Sequence, residues 1–387
     1  MTTMKVYLDY AATTPVHPKV FEKMKPFLAE NFGNPSSIHS FGRTVRVSVE
    51  EARETVADFI NASPSEIYFT SGGSEANNFA IFGIARTEFE ESRRNKIFSS
   101  AIEHHCVLDS FLELEKNHFN VNWLNPEIHS QVGWKRALQD IGADTSLISL
   151  MYVNNETGMI NPISEIAEHL QKDDIYFHTD AVQSLGKFPI DVKKLAVDSL
   201  CGSAHKIYGP KGAGFAYVRS GTPLSPLLFG GSQERNRRGG TENVAGIVGF
   251  AEAIRISKDS IEDNFNHVKS LKEKFITGLS AIDKEGIIIN SPENSSPYIL
   301  SVTFRSAFYN NDSESMLIYL DLNGVAASNG SACTSGTIKA SHVILGLGHS
   351  PEDAAGTLRF SFGTKNSPSE IDYALEVISK MLGKFKK

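Results

Sequence analysis

Short runs rich in β-branched and aromatic residues recur along the first two thirds of the chain, separated by stretches whose apolar positions return at helical spacing. Residues 66–70, 96–100, 120–124, 146–153, 175–179, 198–201 and 214–218 are such runs. Most of the gaps between them can hold a crossover helix, so the expected architecture is α/β, with a mostly parallel seven-stranded sheet flanked by helices. In one gap, Phe79, Phe82 and Phe89 stand at near-helical spacing, and in another Ser164 sits where a cap would start a helix over 164–170. Beyond Val248 a single long amphipathic helix is expected over about 250–280, followed by strand-like runs at 287–289, 299–304 and 358–362. That change of rhythm predicts a smaller α+β domain, giving a large domain over 16–256 and a small one built from 1–15 and 257–387.

The length, 387 residues, exceeds one ordinary hydrophobic core and agrees with two domains. Hydrophobic residues at 41% and charged residues at 21% describe a folded, water-soluble chain. A formal charge of -7 gives no electrostatic reason to bind nucleic acid or an anionic membrane surface. No membrane-spanning run and no signal-like N-terminus is visible, so the expected location is cytoplasmic. The three cysteines, Cys106, Cys201 and Cys333, form no CxxC pair, which argues against a disulfide framework and a structural zinc; no metal is expected.

Six segments, and Asn155 besides them, could carry chemistry. Thr70-Ser71-Gly72-Gly73-Ser74-Glu75 falls where a strand gives way to a helix. Glycines there let backbone N–H groups approach an anion at the helix start; the plain alternative is a Gly/Ser turn capped by Ser74. Asp180, in His178-Thr179-Asp180-Ala181-Val182-Gln183, stands at the carboxyl end of a strand, where ligands of open α/β sheets bind. It could pair with a protonated ring nitrogen or merely cap the next turn. Lys206, in Ser203-Ala204-His205-Lys206, lies on a tight turn suited to imine formation, with Ser203 and His205 as donors to the same anion; Lys211 reads as a plain exposed turn.

His104, in Glu103-His104-His105-Cys106, could stack on a flat ring and shuttle protons near neutral pH, whereas Cys106 and Cys201 read as structural thiols. Cys333 sits in Ser328-Asn329-Gly330-Ser331-Ala332-Cys333-Thr334-Ser335-Gly336, an almost uniformly small and polar run. A thiol on such a loop is a hazard unless its reactivity is used. Arg359, in Leu358-Arg359-Phe360-Ser361, could grip a carboxylate with two parallel hydrogen bonds, and Asn155 ends another strand.

Taken in order, and together with Tyr7-Leu8-Asp9-Tyr10-Ala11-Ala12-Thr13-Thr14-Pro15 and Gly33-Asn34-Pro35-Ser36-Ser37-Ile38-His39, these segments resemble the class V, fold-type I pyridoxal-phosphate enzymes. The resemblance is specifically to cysteine desulfurases of the NifS/IscS type, and it covers essentially the whole chain. It implies a pyridoxal 5'-phosphate cofactor and removal of sulfur from L-cysteine, giving L-alanine and a persulfide on Cys333. A selenocysteine lyase or another class V aminotransferase-type enzyme is the alternative within the superfamily.

By that resemblance Lys206 carries the coenzyme, Asp180 pairs with its ring nitrogen, Gln183 bonds its ring hydroxyl and His104 stacks on the ring. Gly73, Ser74, Ser203 and His205 hold the phosphate, Asn155 also reaches the coenzyme, and Thr241 is donated across a homodimer. Asn34, Asn155 and Arg359 bind the substrate. The large domain becomes the coenzyme domain, and the small one carries the catalytic cysteine loop at about 326–340. The persulfide would pass to an acceptor protein, an iron–sulfur scaffold or a tRNA-thiolating enzyme, with no direct nucleic-acid or membrane contact.

Overall fold

The computed structural model of the protein describes residues 4–124, 133–139, 141–171, 174–330 and 340–387. The chain divides into two compact units, one of residues 14–153 and 161–261, the other of residues 1–13, 154–160 and 262–387. The segment Asn154–Ile160 thus groups with the second unit, whereas the linear reading left it inside the large domain.

A two-residue strand, β1 (Val6–Tyr7), opens the chain. The next seven, β2 (Ile67–Thr70), β3 (Lys96–Ser100), β4 (Asn120–Leu124), β5 (Thr145–Ser149), β6 (Tyr176–Asp180), β7 (Ser199–Ser203) and β8 (Gly214–Val218), form one sheet in the order β2-β8-β7-β6-β5-β3-β4. β3 to β7 pair in parallel, while β8 runs antiparallel to both of its neighbours, β2 and β7. Six strands therefore point their carboxyl ends to one edge. The fourth run, 146–153, is shorter than expected, since β5 ends at Ser149.

Alternate strand residues feed two separate cores, as a sheet buried on both faces requires. Ile67, Phe69, Ile148, Phe177, Phe215 and Tyr217 join one cluster, with the helices Ser40–Ile60 and Val244–Lys258. Tyr68, Leu147, Tyr176, Ala216 and Val218 join the other, with the helices Gly73–Ser92 and His105–Lys116. Each fully buried side chain such as Phe79, Phe177 or Phe215 contributes about 1.5–3 kcal/mol of transfer free energy.

Two helix expectations need correction. The stretch after Val248 is two helices, Val244–Lys258 and Ile261–Ile282, because the Ser260 N–H turns back to the Ser257 carbonyl at 3.1 Å and ends the first ladder. The helix expected from Ser164 starts at Ile163, with Pro162 at the cap position and no capping side chain.

The second unit holds a three-stranded antiparallel sheet of β9 (Ile287–Ile289), β10 (Ile299–Phe304) and β12 (Thr357–Ser361), in the order β12-β10-β9. β11 (Val325–Ala326) lies parallel to β1, which fixes the N-terminal segment in this unit. Phe275, Phe304, Phe360 and Phe362 fill its core.

Candidate active site

In the first unit the carboxyl ends of β2, β3, β6 and β7 carry the segments picked out by sequence. After β2 the helix Gly73–Ser92 has Gly72 at its cap position and no side-chain cap, so Ser74 is not its cap and the first-turn N–H groups have no capping side chain. A Cβ at Gly73 would come 2.7 Å from Val182 Cγ2, so a larger residue there would push that side chain aside. Ser203, the last residue of β7, has a buried Oγ that meets no hydrogen-bond partner among the described residues.

The turn Ala204–Lys206 follows directly. Thr14 braces it twice: its N–H and hydroxyl both donate to the His205 carbonyl, at 2.9 and 3.0 Å, and its Oγ1 accepts from Tyr208 N at 2.7 Å. His205 is held down at about 4 by burial and by the charges of Lys206, Lys211 and Lys187, so near neutral pH it offers an N–H without a charge of its own. An orphaned hydroxyl, an uncapped helix start, a neutral imidazole donor and a lysine on a braced turn suit a phosphorylated aldehyde coenzyme.

Asp180 ends β6 and is 6% exposed. Its Oδ1 accepts from Val182 N and its Oδ2 from Asn77 Nδ2, each at 2.8 Å, so it is both a local turn cap and one end of a longer polar chain. Gln183 Oε1 accepts from Lys187 Nζ at 3.0 Å, which fixes which end of the amide donates. His104 is exposed and caps the helix His105–Lys116, its Nδ1 accepting from Cys106 N at 3.1 Å and lying 3.0 Å from Cys106 Sγ. The Cys106 sulfur accepts from Asn77 Nδ2 at 3.4 Å, and Cys201 is fully buried in β7, as expected.

Arg238 makes a two-pronged pair with Glu75, at 2.7 and 3.1 Å, tying the segment before Thr241 to the first turn of the helix Gly73–Ser92. Thr241 lines a cavity of about 80 Å³ with Thr70, Ser71 and Arg238. Asn34 also belongs to this unit, where its Oδ1 closes a turn by accepting from Ser36 N at 2.9 Å.

In the second unit, Arg359 on β12 is 6% exposed. Its guanidinium donates to the Asn155 carbonyl at 2.8 Å and to Asp9 Oδ1 at 3.0 Å, and its Nε is buried with no partner among the described residues. Asn155 Oδ1 is also buried, with no partner among the described residues. Arg359 and Asn155 therefore come together, with Asp9 as a member that sequence reasoning missed. Ser328 exchanges backbone hydrogen bonds with Arg359, at 3.2 and 2.5 Å. Ser341 Oγ donates to Glu156 Oε2 at 2.5 Å, and Gly330 lies against the same carboxylate. Cys333 itself lies outside the described residues.

Comparison with known proteins gives a consistent result. Residues 6–374 match the family described as Aminotransferase class-V. The chain is 44% identical to the cysteine desulfurase IscS of Dictyoglomus turgidum over 383 residues, covering 99% of this chain and 95% of that protein. Among solved structures it resembles a NifS-like protein at 35% identity and a TM-score of 0.90, covering 99% of this chain and all of the other. It also resembles SspA in complex with cysteine, at 35% identity and a TM-score of 0.79, covering 94% of this chain and all of that one.

Proposed function

The chain belongs to the aminotransferase class-V family and is a pyridoxal-phosphate-dependent cysteine desulfurase, and from that premise we propose how its own residues divide the work. The larger unit is the coenzyme domain. The first turn at Gly73 and Ser74, the Ser203 hydroxyl and the His205 N–H hold the phosphate, and Lys206 carries the coenzyme through its amine. Asp180 pairs with the ring nitrogen, Gln183 donates to the ring hydroxyl, Asn155 reaches the coenzyme as well as the substrate, and His104 stacks on the ring and moves protons. The bound coenzyme supplies the electron sink that carbanion chemistry next to an amino group requires.

Arg359 grips the carboxylate of L-cysteine, with Asn155 and Asn34 as further substrate contacts. Asp9 keeps the guanidinium aimed. The Cys333 thiolate attacks the substrate sulfur; the carbon–sulfur bond breaks, a sulfur–sulfur bond forms, and the products are alanine and a Cys333 persulfide. His104 and Lys206 return protons to the carbon skeleton. The persulfide then passes to an acceptor protein of iron–sulfur cluster assembly or tRNA thiolation.

A homodimer sharing its active sites completes the reading, with Thr241 of each chain reaching the other chain's phosphate. Phe32, Ile38, Phe41 and Phe229, all in the larger unit, are 71, 88, 59 and 84% exposed, an apolar surface that a second copy would cover. No helix among the described residues is long and apolar enough to cross a membrane, and we assign the enzyme to the cytoplasm.

One observation carries the assignment of roles: the strand ends of a single sheet edge bring Asp180, Ser203, Lys206 and an uncapped helix start into one unit. The test is a pair of variants. Lys206→Ala is expected to lack a borohydride-reducible visible band and to form alanine at least about a thousandfold more slowly. Cys333→Ala is expected to keep the band and form no persulfide. Alanine production by Lys206→Ala at the parent rate would overturn the reading.

A further inference from the structure

Asn77 lies one turn into the helix Gly73–Ser92, fully buried, with all three polar positions of its amide engaged. Nδ2 donates to Asp180 Oδ2 at 2.8 Å and to Cys106 Sγ at 3.4 Å. A carboxylate only accepts, so the nitrogen must face Asp180 and Oδ1 must be the acceptor for His178 Nε2, 2.8 Å away. His178 therefore carries its proton on Nε2, and its Nδ1 accepts from the Ser199 hydroxyl at 2.8 Å. Complete burial pushes the His178 imidazole down to about 3, so the ring stays neutral and this pattern of donors is fixed at working pH.

The other branch ends at His104. The Cys106 sulfur accepts from Asn77, which turns its S–H toward His104 Nδ1, 3.0 Å away and already accepting from Cys106 N at 3.1 Å. Two donors on Nδ1 place the proton of a neutral His104 on Nε2. Burial, with Asp180 next, pushes the Cys106 thiol far up, so it remains an S–H donor and not a thiolate.

We propose that Asn77 is the positioning residue of the coenzyme site, holding with one amide both the carboxylate that meets the ring nitrogen and, through Cys106, the tautomer of the histidine that stacks on the ring. The inference rests on the roles given above to Asp180 and His104, and it adds a coupling between them. The titratable groups packed around this amide are Asp180, Cys106 and His178, with Glu103 and Cys201 close enough to interact with the same charges. Burial pushes both of the latter up, and Asp180 is the carboxylate that Asn77 touches directly.

The experiment uses the holoenzyme and follows the visible absorbance of the bound coenzyme against pH. Without Asn77 the Asp180 carboxylate loses its fixed donor, the ring nitrogen holds its proton less well, and the less positive ring lets the Lys206 linkage keep its proton to higher pH. Asn77→Ala is expected to move the absorbance midpoint up by about one pH unit and to weaken coenzyme retention by about tenfold. Asn77→Ser, too short to reach Asp180, serves the same purpose if the alanine variant does not fold. Cys106→Ala is expected to leave that midpoint in place and shift the acidic limb of the pH–rate profile upward, because the neutral His104 tautomer loses a donor; Cys106→Ser restores the limb. A loss of thermal stability alone, with midpoint and limb unchanged, would overturn the proposal. Loss of the visible band in Lys206→Ala, run alongside, separates a failure of this inference from a failure of the underlying assignment.

Discussion

Two imidazoles, His178 fully buried and His205 half-buried, tie the stability of the protein to pH. Burial holds His178 at about 3, and burial together with Lys206, Lys211 and Lys187 holds His205 at about 4, both below the ordinary 6.5. The unfolded chain therefore takes up protons first as pH falls, so the stability tied to these rings is complete above about 6.5 and is lost progressively below it, toward the folded values. The urea midpoint of the coenzyme-free protein is expected to fall steadily from about pH 7 to about pH 5; a midpoint flat over that interval would contradict the neutral assignment of these rings. The placing of Lys206, Asp180 and His205 at strand ends was legible in the sequence because each sits in a short motif beside a β-rich run. Asn77 was not, because its partners lie 29, 101 and 103 positions away and only the sheet brings them together.

Single contacts decide how the elements hold. Arg53, on the helix Ser40–Ile60, pairs with Glu234 at 2.8 and 2.9 Å and donates to the Ile67 carbonyl, while Glu234 also accepts from Phe69 N, both residues being on β2. Both side chains are almost fully buried. Arg53→Met leaves a carboxylate without its counter-charge and is expected to cost about 3–5 kcal/mol in denaturant unfolding, more than the contribution of the pair itself. Gly330, with a φ of 86°, allows no Cβ, which would come 2.7 Å from Glu156 Oε2. Gly330→Ala is expected to cost about 1–3 kcal/mol by the same measurement while leaving coenzyme binding intact. At this scale the strands were readable from their composition, while the break at Asp259–Ser260 was not, because neither residue forbids a helix and only a local hydrogen bond ends it.

At the scale of the whole molecule, complementation tests the shared dimer. A mixture of inactive Lys206→Ala chains and impaired Thr241→Ala chains is expected to reach at least about a quarter of the parent activity when hybrid dimers form, since one of the two sites in each hybrid keeps both residues. No recovery, with hybrids demonstrated by mass, would confine each site to one chain. The grouping of residues 154–160 with the second unit lay beyond a linear reading, because a short loop inside one stretch of sequence can join another unit only through contacts that composition does not announce.

The reversed direction of β8 has one more outcome. Because β7 and β8 are hydrogen-bonded neighbours, with Ser203 opposite Gly214, the Lys206 turn is the tip of a hairpin anchored on both sides. Loss of the coenzyme removes a ligand but not that anchoring, so the emptied enzyme should recapture pyridoxal phosphate in a single fast kinetic phase, its receptor geometry waiting ready-made.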